Sequence, residues 1–275
     1  MSRIVHLSDL HFGRVDPALE TPLLDTVASL APDLVVVSGD LTQRARRGQF
    51  AAARRFLDRL PGPVLCVPGN HDVPLENLLL RFLNPFGRYR RFINPDLEPV
   101  HSDDRMVVVG VNTVNRFAWQ RGRIGRRRLA RIAERFSGSG SKLRVGVLHH
   151  PLEHGPETAK RLTRGAGKAL RAMSDCGADV VLSGHLHIAS VQPFRSAPDL
   201  LFVQAGTGLS TRLRDRQGNA FNQLDYTGDR LRVLRWTSDP EQERGFTVAG
   251  ESEWIRRETA WTQVPVKKTV DKAER

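Results

Sequence analysis

The stretch RIVHLSDLH, Arg3 to His11, runs from β-type apolar residues straight into a carboxylate and an imidazole. The same pattern returns along the chain. LVVVSGD (Leu34 to Asp40) ends on Asp40, and VLCVPGNHD (Val64 to Asp72) ends on Asn70, His71 and Asp72. VGVLHHP (Val145 to Pro151) delivers His149 and His150, and VVLSGHLH (Val180 to His187) delivers His185 and His187. Asp9, Asp40 and Asn70 are separated by 31 and 30 residues, about the length of one strand–helix unit each. That recurrence places them as neighbours on one rim of a sheet, where ligands of open α/β sheets collect.

Working outward, apolar runs predict strands at 3–8, 33–38, 63–67, 106–112, 142–148, 178–183 and 200–204. Helix-compatible segments at 17–30, 49–60, 124–136 and 156–176 fill the intervals, which argues for an α/β class. FNQLDYTGDRLRVLRW (Phe221 to Trp236) alternates apolar and polar residues around Thr-Gly-Asp and reads as an antiparallel hairpin. We expect a main domain over 1–236 and a polar, partly ordered C-terminal extension over 237–275, with KKTVDKAER frayed. Leu75 to Pro95 interrupts the rhythm as an apolar, Arg-dotted helical insert.

The chain has 275 residues, 40% of them hydrophobic, enough for a substantial core. No apolar run approaches the roughly 20 residues that span a bilayer, and the first ten are too mixed for a signal peptide, so a cytoplasmic protein is expected. Two cysteines, Cys66 and Cys176, read as buried free thiols rather than a disulfide or zinc-thiolate site. The formal charge of +12 suggests an anionic partner or substrate. The arginines are scattered (RARR at 44–47, RYRR at 88–91, RGRIGRRR at 121–128), so a nucleic-acid groove is not favoured over an Arg-rich solvated surface.

The chain holds nine histidines, and six stand at strand ends beside carboxylates or one another. Carboxylate, imidazole and amide oxygen without thiolate suit Mn, Fe or Zn rather than Ca²⁺ or a structural zinc. More candidates converge than one tetrahedral centre uses, so two metals sharing one carboxylate is the economical assignment. His6 reads as a core residue and His101 and His154 as surface residues, and GAGK at 165–168 lacks phosphate-loop spacing.

Asp9-Leu-His11, Gly39-Asp40, Gly69-Asn70-His71-Asp72, His149-His150-Pro151 and Gly184-His185-Leu186-His187, in this order, resemble the calcineurin-like metallophosphoesterases. The spacing is most similar to their bacterial cyclic-nucleotide phosphodiesterase-like branch. The resemblance implies a β-sandwich of two mixed sheets flanked by helices. It also implies that Asp9, His11, Asp40 and His187 hold one metal, while the shared Asp40 with Asn70, His149 and His185 holds a second. It implies that His71 faces the substrate phosphate as proton donor or charge stabiliser, with Asp72 hydrogen-bonding and orienting it. His150 falls to a substrate contact or a rim position. The activity implied is phosphodiester hydrolysis of a small substrate, such as a cyclic nucleotide, by metal-activated hydroxide.

A second reading is hydrolysis of a lipid-linked phosphodiester or pyrophosphate, with the 75–95 insert lying on an anionic membrane. A cap or a homodimer contact is the favoured reading of the insert. A non-catalytic binding scaffold or nucleic-acid-binding protein would be marked by lost ligands, and none is lost here.

Overall fold

Strands buried on both faces need near-continuous apolar runs, and LVVV, and VVLS up to its final serine, meet that demand. In the computed structural model, which describes residues 1–154, 161–213, 218–238 and 245–265, these runs form the centres of two sheets. The strands of the first half are β1 (Ser2–Leu7), β2 (Leu34–Val37), β3 (Val64–Cys66), β4 (Val100–Ser102), β5 (Met106–Val111) and β6 (Leu143–Leu148). They are followed by β7 (Val180–Ser183), β8 (Ser190–Phe194), β9 (Ala197–Gln204) and β10 (Ala220–Thr227). Last come β11 (Arg230–Ser238), β12 (Phe246–Arg256) and β13 (Trp261–Val264). One sheet has the order β13-β12-β11-β10-β1-β2-β3, the other β4-β5-β6-β7-β9-β8. Within them β1, β2 and β3 run parallel, as do β5, β6, β7 and β9, with antiparallel strands outside. The expected sandwich of two mixed sheets is the fold observed.

Strand alternation sorts the side chains into three cores. Ile4, Leu34, Val36 and Leu65 of the first sheet face Val108, Val145, Val147, Val180 and Val203 of the second. On the outer face of the first sheet, Val5, Leu7, Val35 and Val37 pack on helices α1 (Pro17–Leu30) and α2 (Arg47–Leu57). Two short helices, α3 (Leu78–Leu83) and α4 (Gly87–Phe92), follow the third strand. On the outer face of the second sheet, Val107, Val109, Leu148 and Phe202 meet α5 (Arg126–Phe136) and α6 (Ala166–Asp175). Asp16 caps α1 by accepting from Ala18 N at 3.0 Å, and Pro17 opens it.

Some expectations need correction. The helix expected over 156–176 begins only at Ala166, because Thr163 is turned toward His150 and Pro151 by its hydroxyl and Gly165 is left-handed at φ 93°. Residues 155–160 and the tail KKTVDKAER lie outside the described residues. The insert is two short helices, and in α3 the amphipathicity is inverted. Leu78, Leu79 and Leu83 are exposed while Arg81 is buried, its guanidinium donating to the carbonyls of Pro74, Arg116 and Ala118. Sequence alternation also passed over β4, β8, β12 and β13. Cys66 is buried and its thiol pushed up to about 12 by that burial, so it is inert, while Cys176 is half-buried. Among the described residues no helix is long and apolar enough to cross a membrane.

His6 shares the inner face of β1 with Ile4, fully buried, its Nε2 2.9 Å from Ser38 Oγ. Burial lowers its pKa to about 3, against which the Asp9 charge works only partly. The folded state therefore binds fewer protons than the unfolded one, and this stability is present above about pH 6.5 and lost as pH falls toward the folded value. Taking metal-free protein from pH 7 to pH 5 should lower the urea midpoint of the wild type relative to that of His6→Leu, whose side chain takes up no proton in either state. An equal fall in both would show that His6 is not the acid-sensitive group.

Candidate metal centre

The strand-end loops are held together by backbone before any side chain is considered. Asp9 N donates to Gly39 O at 3.1 Å, His11 N to Asp40 O at 2.9 Å and Gly184 N to His149 O at 3.2 Å. Among the described residues seven non-glycines have positive φ, and Asp9, His11, Asp40, His185 and His187 are five of them. Each costs about 1–3 kcal/mol and persists only where surroundings over-determine it. Here the left-handed turns bring side chains from two sheets onto one point.

Asp9, His11 and His187 form one group, with Asp9 Oδ1 3.6 Å from His11 Nε2 and 3.3 Å from His187 Nε2. A second group gathers around His149 Nε2, which lies 3.3 Å from Asp40 Oδ2, 3.2 Å from Asn70 Oδ1 and 3.2 Å from His185 Nδ1. The same Asp40 Oδ2 is 3.8 Å from His11 Nε2, so the two groups meet on one carboxylate oxygen. The structure thus brings all seven expected ligands together.

Proton bookkeeping shows why this set suits cations. His149 Nδ1 faces the Ser38 carbonyl at 2.8 Å and must carry the N–H there, which turns the Nε2 lone pair of the neutral ring toward two oxygen acceptors, Asp40 Oδ2 and Asn70 Oδ1, and the His185 ring. His187 repeats the arrangement: Nδ1 lies 3.1 Å from the Arg212 carbonyl and 2.7 Å from Thr207 Oγ1, leaving Nε2 toward Asp9. Asp9 Oδ1 and His11 Nε2 are buried with no hydrogen-bond partner among the described residues. Lone pairs converging in a dry site are the signature of cation ligands, with carbonyls behind the imidazoles fixing their tautomers. Without a cation, protons fill the role. Burial alone would lower His149, yet the Asp40 and Asp9 carboxylates carry it up to about 9. Burial alone would raise Asp9 and Asp40, but the imidazoles hold both below the usual carboxylate range.

Two motif glycines are explained by close approach. A Cβ on Gly69 would overlap Asp40 Oδ1, and one on Gly184 would overlap Ser8 Oγ and Asp9 Oδ2. Ser8 Oγ and His185 N both donate to Asp9 Oδ2, at 2.7 and 2.9 Å.

His71 stands at the edge of the cluster, its ring edge-on to His11 at 4.9 Å and its backbone N donating to Asp40 Oδ1 at 2.8 Å. The expected hydrogen bond from Asp72 to its ring is not made. His71 Nδ1 lies 2.9 Å from the Gln43 carbonyl, and its Nε2 lies 3.2 Å from Arg212 Nη1. Asp72 accepts instead from Gly69 N, Leu41 N, Thr42 N and Thr42 Oγ1, pinning the 69–72 turn to the loop after β2. Burial and the neighbouring Asp40 push its carboxyl up to about 6 against those backbone donors. The two contacts of His71 fix a neutral ring, protonated at Nδ1 and accepting at Nε2. Burial lowers its pKa as well.

His150 is buried within the second group, tilted over His185 at 4.7 Å, with Nδ1 2.9 Å from Thr113 Oγ1. Gln43, Thr207 and Arg212 lie beyond the reach of sequence reading, since two act through main-chain carbonyls and Thr207 is an ordinary loop residue.

Residues 2–189 match the calcineurin-like phosphoesterases. This chain belongs to that family. It is 25% identical over 212 residues, 69% of this chain and 74% of the other, to a probable cyclic nucleotide phosphodiesterase of Synechococcus. It is 35% identical over 95 residues, 30% of this chain, to the glycerophosphodiester phosphodiesterase GpdQ of Enterobacter lignolyticus, and the match spans 33% of that protein's length. Among solved structures, PhoD superposes with a TM-score of 0.68 at 10% identity, covering 96% of this chain and 71% of the other.

If close packing of Gly184 against Asp9 sets the ligand geometry, Gly184→Ala should reduce bound metal severalfold although it removes no ligand. Gly48→Ala, whose Cβ meets nothing within 4 Å, should not. Elemental analysis of both variants against the wild type checks this.

Proposed function

We propose that this protein is a dinuclear metal-dependent phosphodiesterase acting on a small phosphodiester, with cyclic nucleotides as the leading class. The observation that carries the reading is the single Asp40 Oδ2 facing both His11 and His149. In this reading Asp9, His11, Asp40 and His187 hold one ion, and Asp40, Asn70, His149 and His185 the other. Bound there, two ions of the Mn, Fe or Zn type would activate water and offset phosphoryl charge. The chain's own contribution is preorganisation: carbonyls of Ser38 and Arg212 fix the ligand tautomers, and the strained turns hold the carboxylates in place before substrate arrives. His71 is the residue beside the phosphate; once protonated at Nε2 it would supply the proton that the departing alkoxide takes up, while Nδ1–H stays on Gln43. His150, stacked on the second group, would contact the substrate from that side. The name of the Synechococcus relative supports a cyclic nucleotide, and that of the Enterobacter relative a glycerophosphodiester.

With Mn²⁺ added, the protein should hydrolyse bis(p-nitrophenyl) phosphate. Asp40→Ala should lose both ions together, whereas His71→Ala should keep them and lose roughly 10²–10⁴-fold in turnover. Protein that neither binds metal nor turns over would refute the enzyme; loss of one ion in His71→Ala would make His71 a ligand.

A second reading, a lipid-linked phosphodiester or pyrophosphate at an anionic membrane, is favoured by one surface feature. Leu78, Leu79, Phe82 and Leu83 of α3 are exposed beside exposed Phe117 and Trp119, where Phe82 and Phe117 stack at 5.7 Å. Arg116 lies over Phe117 at 4.9 Å. Flotation with vesicles containing phosphatidylglycerol should lift the wild type but not Leu79→Ser/Leu83→Ser/Trp119→Ser. No flotation of the wild type would leave the soluble substrate as the reading.

A further inference from the structure

We propose that the Arg212 guanidinium is the protein's own cationic contact for a non-bridging oxygen of the substrate phosphoryl group, opposite the metal ligands. This rests on the reading of the site as a phosphoryl-transfer centre, and names a residue beyond the stretch matched by the family.

Residues 205–212, which follow β9, are stitched into the site. Ala205 N donates to Ser183 O at 2.9 Å, Gly208 N to Ser8 O at 2.9 Å and Thr211 N to Arg14 O at 3.0 Å. Leu209 O accepts from Asp16 N at 2.8 Å, and Arg212 N donates to Ser210 Oγ at 3.1 Å. Arg212 is therefore held from both sides, and its two ends do different work. Its main-chain oxygen accepts from His187 Nδ1 at 3.1 Å, fixing that ligand. Its side chain crosses to His71, with Nη1 3.2 Å from Nε2.

That crossing assigns the charge. His71 Nδ1 must be the donor to the Gln43 carbonyl, so its Nε2 accepts, and the positive charge of the pair belongs to the guanidinium. An arginine stays charged at any working pH, and its planar fork matches two phosphoryl oxygens, which a single imidazole N–H cannot. Of the two roles the family resemblance implies for His71, proton donor or charge stabiliser, the second therefore falls to Arg212. The His71–Arg212 contact stations the guanidinium where the phosphate arrives, and on binding the guanidinium turns from the imidazole to the phosphoryl oxygens. That movement frees the Nε2 lone pair, which can take a proton from water and pass it to the leaving alkoxide oxygen while Nδ1–H stays on the Gln43 carbonyl. Development of charge on the equatorial oxygens would strengthen the guanidinium contact.

The test is a calorimetric titration of Mn²⁺-loaded protein with inorganic phosphate, with metal content measured on the same samples. Arg212→Gln should weaken phosphate binding about 10- to 100-fold with metal content unchanged, since the backbone contact to His187 survives the substitution. Arg212→Lys should recover part of the loss, and Arg212→Gln should still weaken binding in a His71→Ala background. Phosphate affinity within twofold of the parent in Arg212→Gln, or an effect that vanishes once His71 is removed, would overturn the assignment and leave Arg212 as a prop for His71. Failure of the wild type to bind phosphate would overturn it too. A wild type that binds phosphate through Arg212 yet hydrolyses no diester would retain this inference and refute the phosphodiesterase reading.

Discussion

Two carboxylates, Asp9 and Asp40, are buried almost completely at the junction of two sheets, and everything around them serves to make that tolerable. A buried carboxylate without compensation costs several kcal/mol, and two together cost more. Compensation comes from three imidazoles, His11, His149 and His187, together with backbone donors at His71 and His185. The positive φ angles and the side-chain-free glycines follow from the same requirement, because the groups must approach within contact distance on turns that link different strands.

The fold supplies this junction by dividing the site between its layers. The parallel strands of the first sheet deliver Asp9, His11, Asp40 and Asn70, and those of the second deliver His149, His185 and His187. Neither sheet holds all of these candidate ligands, so the register between the sheets, with its central core of Ile4, Val36, Val145 and Val203, also sets how the candidate ligands meet. Ions bound there would stabilise the sandwich itself, since the unfolded chain presents no such site.

Much of this was legible because chemistry and periodicity coincide at the strand ends. Apolar runs stop where Asp9, Asp40, Asn70, His149 and His185 begin, and five short motifs in order name the family. What stayed illegible has physical causes. β12 carries a run of exposed or half-exposed positions over TVAGESE, so neither of its faces shows a continuous apolar stripe. In α3 the leucines face solvent while Arg81 is buried, which reverses the usual reading of an apolar face. Asp72 could not be placed by adjacency: its neighbour in sequence is His71, yet its four donors come from Gly69, Leu41 and Thr42. Gln43 and Arg212 hold the His71 and His187 rings through carbonyl oxygens, which every residue type carries, so no side-chain pattern announces those contacts.

In the proposed centre Asp40 is shared between two cations. A crystal of the Mn²⁺-loaded protein, with anomalous scattering recorded at the metal edge, tests it most directly. Two peaks about 3.5–4 Å apart with Asp40 bridging them are the predicted result. A single peak, or His149 hydrogen-bonded to Asp40 with no metal between them, would contradict it.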